Sequence, residues 1–322
     1  MLEDELRRIA KIVGSNITSS VSGDGSPLYR AALHLPLQGG KRMRPFLVAK
    51  ACEAVGGTVE GAVPAATAIE LLHNFTLVHD DIMDNDLLRR GVPTVHTLWG
   101  LPLGILAGDL LFAEAFEVML SSKGEPERRR RAASILARAM IVLSEGQYMD
   151  MSFESRVDVS EVEYLDMVYR KTGALFQAAG ELGGVMGGGD ERSIASLGAY
   201  GKNLGVGFQI FDDYLGMTSS EEVLGKSVGN DIREGKKTLI VIKTLQTPAG
   251  ELLLSSLGKK SASDTEIETL VKSIKAEGVL DYVRGRASSY VNAAKAAVSN
   301  LSESTARAQL IELAEYAVSR SK

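Results

Sequence analysis

The sequence predicts an all-α protein. Apolar residues recur at three- and four-residue steps over residues 65–83, 132–151 and 197–215, which is the period of a helix with one buried face. Alternating, β-branched runs bounded by turn residues are scarce. The best strand candidate, residues 238–242, continues into Lys243 without a turn residue. We therefore interpret it as part of a buried helix.

Clusters of glycine, proline and serine separate the predicted helices, and we expect a loop at each cluster. The clusters lie at residues 39–40, 56–57, 91–93, 121–126, 183–189, 219–229 and 247–250. No linker rich in proline, serine or charge divides the chain, and the helices need one another to bury their apolar faces. Residues 1–322 are therefore predicted to form one large helical domain.

Composition excludes several classes of protein. Apolar residues make up 45% of the 322-residue chain, which is enough for a core and excludes a mainly disordered protein. Cys52 is the only cysteine, so an internal disulfide is excluded, and the N-terminal residues lack the basic and apolar regions of a secretory signal. No uncharged apolar run reaches the about 18 residues that a membrane-spanning helix needs. We expect a cytoplasmic protein without a transmembrane segment.

The charges are clustered by sign along the sequence. The 36 Lys and Arg against 41 Asp and Glu give a net charge of −5, which argues against nucleic-acid binding through a bulk positive field. Residues 128–131 are four consecutive arginines. On a helix they would point in all directions, so we interpret them as a solvated surface and not as a polyanion site.

The strongest local signal is the acidic segment at residues 79–86, which closes a long apolar run. Asp80 and Asp84 are four residues apart, so they share one face of a helix, and Asp81 flanks them. Their mutual repulsion adds to the negative pole at the helix C-terminus, and a divalent cation would relieve both. Paired carboxylates suit Mg²⁺, which completes its shell with water and phosphate. A solvated acidic helix end is the alternative.

A second aspartate pair, Asp212 and Asp213, also closes an apolar run. Gln209 lies three and four residues before the two carboxylates, on the same helical face. Two separate helices that each end in paired aspartates predict two walls of one metal site.

Basic residues accompany the two aspartate pairs. Each basic group alone is typical of surface charge, but together with Mg²⁺-binding carboxylates they indicate a site for a highly charged ester, such as a diphosphate. The groups are Lys41, Arg42 and Arg44; Arg89 and Arg90; Lys171 beside Thr172; Lys226; and Lys236 with Lys237.

Apolar side chains lie below both aspartate pairs on the predicted helices, and His73 lies two turns before Asp80. A charged mouth above an apolar shaft indicates an amphiphile with a diphosphate head and a hydrocarbon tail. The residues predicted to form the shaft are Leu72, Phe75 and Leu77 on one helix and Val206, Phe208 and Ile210 on the other.

From these residues, the chain resembles the trans-isoprenyl diphosphate synthases, or polyprenyl synthetases, and most closely the archaeal-type short-chain members that make geranylgeranyl or farnesyl diphosphate. The resemblance implies an isoprenoid-synthase-type bundle of long helices around a central apolar cavity. Seven motifs carry it: GGKRMRP at 39–45, HDDIMD at 79–84, RRGVPTVH at 89–96, GDLLFAEAF at 108–116, KTGALF at 171–176, FQIFDDYLG at 208–216 and GKSVGNDIREGKKT at 225–238.

The resemblance implies a Mg²⁺-dependent prenyltransferase with three ions per site. Such an enzyme condenses isopentenyl diphosphate head-to-tail with dimethylallyl, geranyl or farnesyl diphosphate to give a short-chain all-trans product, here geranylgeranyl diphosphate. The departing diphosphate is the family's usual candidate for the base, so no protein base is assigned. The resemblance also implies a homodimer whose lipid product is released near a membrane.

The resemblance assigns roles to individual residues by motif. Asp80, Asp84 and Asp212 would bind Mg²⁺, supported by Asp81 and Asp213. Lys41, Arg44, His73 and Arg90 would bind isopentenyl diphosphate. The groups that would bind the allylic diphosphate are Arg89, Lys171, Thr172, Gln209, Lys226 and Lys236. Arg89 and Lys171 also belong to the predicted catalytic set.

Gly216 bears on metal binding, and Thr76 and Phe75 bear on product length. Gly216 stands where the second motif usually has a third aspartate, and we expect Asp212 and Asp213 to retain the metal contact. In this family the residues four and five positions before the first aspartate limit product length, and here they are Thr76 and Phe75. Helical geometry places Thr76 within about 40° of Asp80 and Phe75 about 140° away, so geometry alone does not choose Phe75. The resemblance does choose it.

Other functions remain open on sequence grounds. A farnesyl or longer-chain synthase of the same fold is the first alternative, and a catalytically silent regulatory subunit is the second, although such subunits typically lose an aspartate cluster. A terpene cyclase would need no second diphosphate site and so no Lys41 and Arg44. A Ca²⁺-binding helical protein would leave the basic groups unexplained.

Overall fold

The computed structural model describes residues 2–218 and 229–319, and it confirms the all-α prediction. Within these residues the only strands are β1 (Leu88–Arg89) and β2 (Val92–Pro93), which form one short antiparallel hairpin. No helix in the described part of the chain is long and apolar enough to cross a membrane.

The chain divides into two compact units. The first unit comprises Met1–Arg138, Leu175–Gly201 and Val298–Leu313. The helices that lie wholly or partly in it are α1 (Leu2–Ser20), α2 (Pro27–Leu37), α3 (Met43–Ala54), α4 (Val59–Met83), α5 (Val95–Trp99), α6 (Leu101–Leu120), α7 (Pro126–Glu154), α9 (Ala174–Met186), α10 (Glu191–Thr218) and α16 (Thr305–Ser319).

Helix α4 carries most of the predicted site residues of the first unit. It begins at the N-cap Thr58, whose hydroxyl accepts a hydrogen bond from the Gly61 amide at 3.2 Å. Ile69, Leu71 and Leu72 are completely buried, and α4 packs against α3 and α6. Burying each of these side chains contributes about 1.5–3 kcal/mol, so packing fixes the position of the acidic end of α4.

The loop predicted at residues 183–189 is wrong in its first half, because α9 continues to Met186. A Cβ at Gly183 would lie 2.4 Å from the Val48 carbonyl oxygen, and one at Gly187 would lie 2.5 Å from the Cys52 carbonyl oxygen. These glycines therefore allow α9 and the turn that follows it to approach the backbone of α3. The turn itself follows Met186, and Gly188 adopts a left-handed conformation there (φ +75°).

The four arginines of residues 128–131 each bind a different group. Arg128 and Arg129 donate to the carbonyl oxygens of Met186 and Leu120, at the C-terminal ends of α9 and α6. Arg130 pairs with Glu127, one turn before it, and Arg131 pairs with Glu191 in the first turn of α10. The predicted solvated surface is therefore a set of paired side chains at helix ends.

The second unit comprises Ala139–Ala174, Lys202–Ala297 and Ala314–Lys322. Its core includes Val206, Ile210, Phe211, Leu239 and Val283. It contains the remaining parts of α7, α10 and α16, with α8 (Glu161–Val168), a π-helix (Tyr169–Gly173), α11 (Asn230–Glu234), α12 (Leu239–Thr244), α13 (Gly250–Ser256), α14 (Asp264–Ala276) and α15 (Val279–Ala297). The segment 238–242 is confirmed as helical, because α12 begins after the N-cap Thr238.

The π-helix at Tyr169–Gly173 was not predicted. A Cβ at Gly146 in α7 would lie 2.3 Å from the Lys171 amide nitrogen, so α7 and the π-helix approach in backbone contact. Turns of this kind are frequent at functional sites, and this one carries the predicted site residues Lys171 and Thr172.

The remaining sequence predictions have different outcomes. The loops at residues 39–40, 56–57, 121–126 and 247–250 are confirmed, and residues 91–93 form the turn and second strand of the β hairpin. Residues 219–228 lie outside the described residues. A single domain over residues 1–322 stays a prediction.

Candidate active site

The first carboxylate cluster lies at the C-terminal end of α4, as predicted. Asp84 is the C-cap, and its amide donates to the Asp80 carbonyl oxygen at 2.8 Å. Both side chains are half-buried, whereas Asp81 is only 1% exposed. Asp80 and Asp84 are separated by one helical turn and therefore lie on the same face of α4.

Asp81 is paired inside the protein. Its carboxylate accepts a hydrogen bond from Arg89 Nε, and Arg89 Nη2 lies 3.7 Å from Asp86. Burial raises the pKa of Asp81, whereas the Arg89 charge lowers it. The structure thus brings two predicted site residues together, and their ion pair joins β1 to the end of α4.

The β hairpin positions Arg90. Arg90 and Gly91 both have positive φ, 53° and 77°, as in the two-residue turns that match the twist of a hairpin. One guanidinium nitrogen of Arg90 donates to the Gly39 carbonyl oxygen. A Cβ at Gly40 would lie 3.0 Å from the Arg90 guanidinium, so a glycine there allows this approach. The contact joins the hairpin to the GGKRMRP segment.

The GGKRMRP segment leads into the start of α3. Its lysine, Lys41, is exposed, whereas Arg42 is buried and Arg44 is half-buried. Arg42 is the N-cap, with a left-handed backbone (φ 44°), and is 8% exposed. Its guanidinium donates to the Pro36 carbonyl oxygen at 2.7 Å and lies 3.1 Å from a carboxylate oxygen of Glu70. Glu70 itself is 2% exposed.

Burial lowers the pKa of both Arg44 and His73. The Arg44 guanidinium lies 4.3 Å from the centre of the Phe176 ring, a cation–π contact. Burial lowers the pKa of Arg44 to about 10. Burial, followed by the charges of Arg44 and Arg90, holds the pKa of His73 well below its usual range, so the imidazole is neutral at pH 7. We call Arg42, Arg44 and Arg90 the arginine cluster.

Three polar atoms in and beside the arginine cluster are buried without a hydrogen-bond partner among the described residues. They are Arg42 Nη1, Arg44 Nε and Asn74 Oδ1. The contact between Arg42 Nη1 and Glu70 is an ion pair that lacks hydrogen-bond geometry. Buried donors are normally satisfied by protein, water or ligand, so the unsatisfied Arg44 Nε points to a ligand with acceptor oxygens.

Aromatic rings line α4 and α6 below the first carboxylate cluster. The Phe75 ring makes edge contacts with His79 at 4.7 Å and with Phe112 at 5.2 Å, and Phe112 contacts Phe116 at 5.1 Å. Thr76 instead donates its hydroxyl to the His73 carbonyl oxygen at 2.8 Å. Phe75 therefore belongs to an aromatic layer between two helices.

The residues of the predicted apolar shaft differ in burial. Phe75, Leu77 and Phe208 keep partial exposure. Leu72 in the first unit and Val206 and Ile210 in the second are at most 2% exposed. The last three residues are packed in the core of their own unit.

The second carboxylate cluster lies in α10 and belongs to the second unit. The prediction that the pair closes its helix is wrong, because α10 continues to Thr218 through Gly216, and Leu215 and Met217 remain buried there. Asp212 is exposed, whereas Asp213 is half-buried. Asp212 is therefore the carboxylate of this pair that is open to a cation.

Both carboxylate oxygens of Asp213 accept hydrogen bonds. The buried Tyr164 hydroxyl donates to one at 2.6 Å, and the Gln209 amide donates to the other at 2.9 Å. The Thr172 hydroxyl in turn donates to the Gln209 side-chain oxygen at 3.0 Å. The structure thus connects three predicted site residues in one chain of hydrogen bonds that fixes the orientation of Asp213.

Negative charge accumulates around Asp213. Burial, followed by the neighbouring carboxylate of Asp231, raises the pKa of Asp213 to about 8, and Asp212 adds a smaller effect. A Cβ at Gly216 would lie 3.5 Å from an Asp231 carboxylate oxygen. Repulsion among carboxylates is what a bound cation relieves, so the donor chemistry of this cluster fits a hard divalent ion.

Two of the predicted site lysines in the second unit make ion pairs. Lys171 Nζ donates to Asp150 at 2.6 Å, and Lys236 Nζ lies 3.1 Å from Glu234. Lys226 lies outside the described residues. The partner Asp150 stands on α7, whose backbone contacts the π-helix that carries Lys171.

Neither aspartate cluster is a complete protein cage. Over residues 2–218 and 229–319, no three carboxylate, imidazole or thiol side chains converge closely enough to hold a metal ion. Such open pairs fit Mg²⁺, which retains water and binds substrate phosphate, better than ions that require a full set of protein ligands.

Sequence reasoning missed Glu70, Asp150 and Tyr164. Glu70 had a usable signal, because it is the only charge between Ala65 and Leu72 in an apolar run, and a buried charge requires a partner. Tyr164 and Asp150 had none, because their partners lie 49 and 21 residues away along the chain.

The polyprenyl synthetase family model matches residues 26–274. The geranylgeranyl diphosphate synthase of Sulfolobus acidocaldarius is 44% identical, over 99% of each chain. The structure of geranylgeranyl pyrophosphate synthetase from Pyrococcus horikoshii superimposes with a TM-score of 0.93 at 42% identity, over 99% of each chain.

A third similar protein carries ligands. The polyprenyl synthase from Caulobacter crescentus, complexed with calcium and isoprenyl diphosphate, has a TM-score of 0.90 at 35% identity. The match covers 99% of the present chain and 98% of that one. The predicted fold class and the predicted resemblance are both confirmed, and the chain belongs to the polyprenyl synthetase family.

Proposed function

We propose that this chain is a Mg²⁺-dependent trans-prenyltransferase that makes geranylgeranyl diphosphate. It condenses isopentenyl diphosphate head-to-tail with dimethylallyl, geranyl or farnesyl diphosphate. The observations that carry this proposal are the arginine cluster, in which Arg44 Nε is buried without a hydrogen-bond partner among the described residues, and the acidic end of α4 at Asp80 and Asp84. A metal-binding carboxylate pair and a separate cationic site suit two diphosphates that are bound in different ways.

The arginine cluster serves isopentenyl diphosphate in this proposal. Arg44 and Arg90 supply guanidinium N–H groups to its phosphate oxygens, Lys41 adds a mobile ammonium, and neutral His73 donates one hydrogen bond. None of these groups needs a metal ion. The second substrate is therefore bound as an intact diphosphate and is not activated to leave.

The aspartates serve the allylic diphosphate. Asp80, Asp84 and Asp212 would hold three Mg²⁺ ions, which, when bound, neutralise the diphosphate and make it a better leaving group. Asp81 holds Arg89 in place, and Asp213 is oriented by Tyr164, Gln209 and Thr172. Arg89, Lys171, Lys226 and Lys236, with Thr172 and Gln209, bind the remaining phosphate oxygens.

The reaction balances without a protein base. The carbon–oxygen bond of the allylic diphosphate breaks, the alkene of isopentenyl diphosphate attacks the allylic carbon, and a new carbon–carbon bond forms. A proton is then lost from the isopentenyl unit to the departed diphosphate. The aromatic side chains below α4 exclude water from the allylic cation.

The test of this function is direct. Purified protein is incubated with Mg²⁺, isopentenyl diphosphate and each allylic primer in turn, and the prenyl alcohols are identified after dephosphorylation. We expect twenty-carbon geranylgeraniol with all three primers. A fifteen-carbon product would establish the farnesyl alternative, and a product longer than twenty carbons would establish the longer-chain alternative. No elongation with any primer would reject the enzyme and favour the silent regulatory subunit.

Product length is proposed to depend on Phe75, supported by its aromatic layer with Phe112. Replacing Phe75 by alanine removes a ring from between α4 and α6, so we expect products longer than twenty carbons. Phe75→Leu keeps most of the volume and should keep the parent product. The chain lengths of the dephosphorylated alcohols are determined for both variants. An unchanged chain length in Phe75→Ala contradicts the proposal that Phe75 limits product length.

Assembly and location are proposals of the same kind. Leu98, Leu101 and Ile105 at the start of α6 and just before it are 48%, 51% and 42% exposed. Exposed apolar groups so close together are typical of a protein interface, which supports a homodimer. We infer a cytoplasmic enzyme whose substrates are small diphosphates and whose lipid product is released near a membrane. No nucleic-acid partner is proposed.

A further inference from the structure

One carboxylate, Glu70, lies among the guanidinium groups of the arginine cluster. It is 2% exposed and contacts Arg42 Nη1 at 3.1 Å, and it accepts a hydrogen bond from the Asn74 amide at 3.2 Å. Burial raises the pKa of Glu70, but Arg42, Arg44 and Arg90 all lower it, in that order. Glu70 is therefore the counter-ion of Arg42, and its carboxylate also interacts electrostatically with Arg44 and Arg90.

Each guanidinium of the cluster has its own second contact. Arg42 is held by the Pro36 carbonyl oxygen, Arg44 by the face of Phe176 and Arg90 by the Gly39 carbonyl oxygen. Three cations so arranged repel one another, and burial lowers the pKa of Arg44 to about 10. Glu70 supplies the attraction that opposes this repulsion before any ligand binds.

The charges of the cluster leave a surplus. Three arginines and one carboxylate carry a net charge of +2, because His73 is neutral, and this suits a diphosphate. Arg44 Nε has no hydrogen-bond partner among the described residues, so Glu70 does not consume all donors of the cluster. The carboxylate thus fixes the guanidinium groups and leaves N–H groups for a ligand.

We propose that Glu70 is a positioning residue, which holds the arginine cluster in the arrangement that binds isopentenyl diphosphate. Glu70 acts through Arg42, Arg44 and Arg90 and does not touch the substrate. The inference rests on the proposed function and deepens it. In this proposal Arg42 is the ion-pair partner of Glu70 and does not bind phosphate.

The Glu70→Gln variant separates positioning from simple electrostatics. If the carboxylate only added negative charge near a phosphate site, its removal would strengthen diphosphate binding. If it positions the arginines, its removal weakens binding, because the cations then repel one another and separate. The glutamine side chain has nearly the same shape and keeps an acceptor for Asn74, so the two accounts differ in the sign of the change.

Binding is measured by calorimetry in EDTA, with isopentenyl diphosphate and, separately, inorganic diphosphate as the ligand. Without divalent cations the metal-dependent allylic site does not contribute. We expect the dissociation constant for both ligands to rise on the order of tenfold or more, as when a supporting partner of a binding group is lost. Unchanged or tighter binding overturns the proposal.

Steady-state kinetics with Mg²⁺ test the same residue in the working enzyme. The KM for isopentenyl diphosphate should rise on the order of tenfold in Glu70→Gln, whereas the KM for the allylic primer and kcat change by less than about threefold. A merely structural role would affect both substrates together. Equal increases in the two KM values therefore contradict positioning.

Two control variants remove stability as an explanation. Glu181→Gln changes another desolvated glutamate of the first unit, which accepts a hydrogen bond from Gln177, and it should leave both KM values unchanged. The double variant Arg42→Gln with Glu70→Gln removes both members of the ion pair and should recover thermal stability relative to Glu70→Gln. Its KM for isopentenyl diphosphate should remain raised. Full recovery of that KM would show that Glu70 does not position Arg44 and Arg90.

Elongation by the wild-type protein tests the proposed function, whereas the isopentenyl diphosphate constants of the Glu70→Gln variant test the positioning role. A wild-type protein that elongates no primer rejects the function, whatever the Glu70→Gln variant does. A wild-type protein that elongates primers, with an unchanged isopentenyl diphosphate constant in Glu70→Gln, rejects only the positioning role.

Discussion

Asp80→Ala is expected to lower kcat by about 10³-fold or more. Asp80 is half-buried at the end of α4, on the same face as Asp84, where it is proposed to hold Mg²⁺ against the allylic diphosphate. Loss of a metal ligand removes several kcal/mol of transition-state stabilisation, and each about 1.4 kcal/mol corresponds to a tenfold change in rate. Initial rates of prenyl transfer at saturating Mg²⁺ measure the effect.

The fold should survive this change. Asp80 lies near the C-terminus of α4, where a negative charge opposes the helix dipole, so alanine there does not weaken the helix. Circular dichroism and the thermal midpoint should match those of the wild type. Asp281→Ala, in the first turn of α15, is the matched control and should retain full activity. A large loss of helicity in Asp80→Ala would contradict a metal-binding role and indicate a structural one.

Gly183→Ala is expected to destabilise the protein by about 1–3 kcal/mol or more, although alanine favours helices. The added Cβ would lie 2.4 Å from both the Val48 carbonyl oxygen and the Ala51 Cβ. Neither backbone nor Cβ can rotate away, so α9 and α3 have to separate. The midpoint of thermal or urea unfolding measures the loss.

Gly14→Ala is the matched control for the helix crossing. Gly14 also lies inside a helix, α1, but no atom would lie within 4 Å of an added Cβ. Alanine there should raise stability by about 0.5–1 kcal/mol, because it loses less backbone entropy on folding than glycine. If both variants raise stability, then the glycine at position 183 is not needed for close packing of α9 on α3.

The parts of the molecule that follow from local pattern were predictable. The apolar period over residues 65–83 predicts helix α4, which ends at Met83 with Asp80 and Asp81 in its last turn, so both the helix and its acidic end could be predicted from the sequence. The same holds for α12, where the lack of a turn residue excluded a strand. The predicted roles of the aspartates and arginines came from motifs whose residues are close together in the chain.

Features that depend on distant contacts were not predictable. The glycines at 183 and 187 indicate a loop in isolation, and only the backbone of α3 shows why a helix needs them. The close approach of α7 to the π-helix requires Gly146, more than twenty residues earlier, and the orientation of Asp213 depends on Tyr164. In each case the cause is a tertiary contact that overrides the local propensity.

The pairing of residues 128–131 changes how that segment contributes to the field around the protein. Arg128, Arg130 and Arg131 each lie within 3.3 Å of a glutamate oxygen. Such pairs act as dipoles, whose potential falls with the square of distance, whereas the potential of an isolated charge falls with distance itself. Three of the four consecutive arginines therefore have a field of short range and would attract a distant anion only weakly.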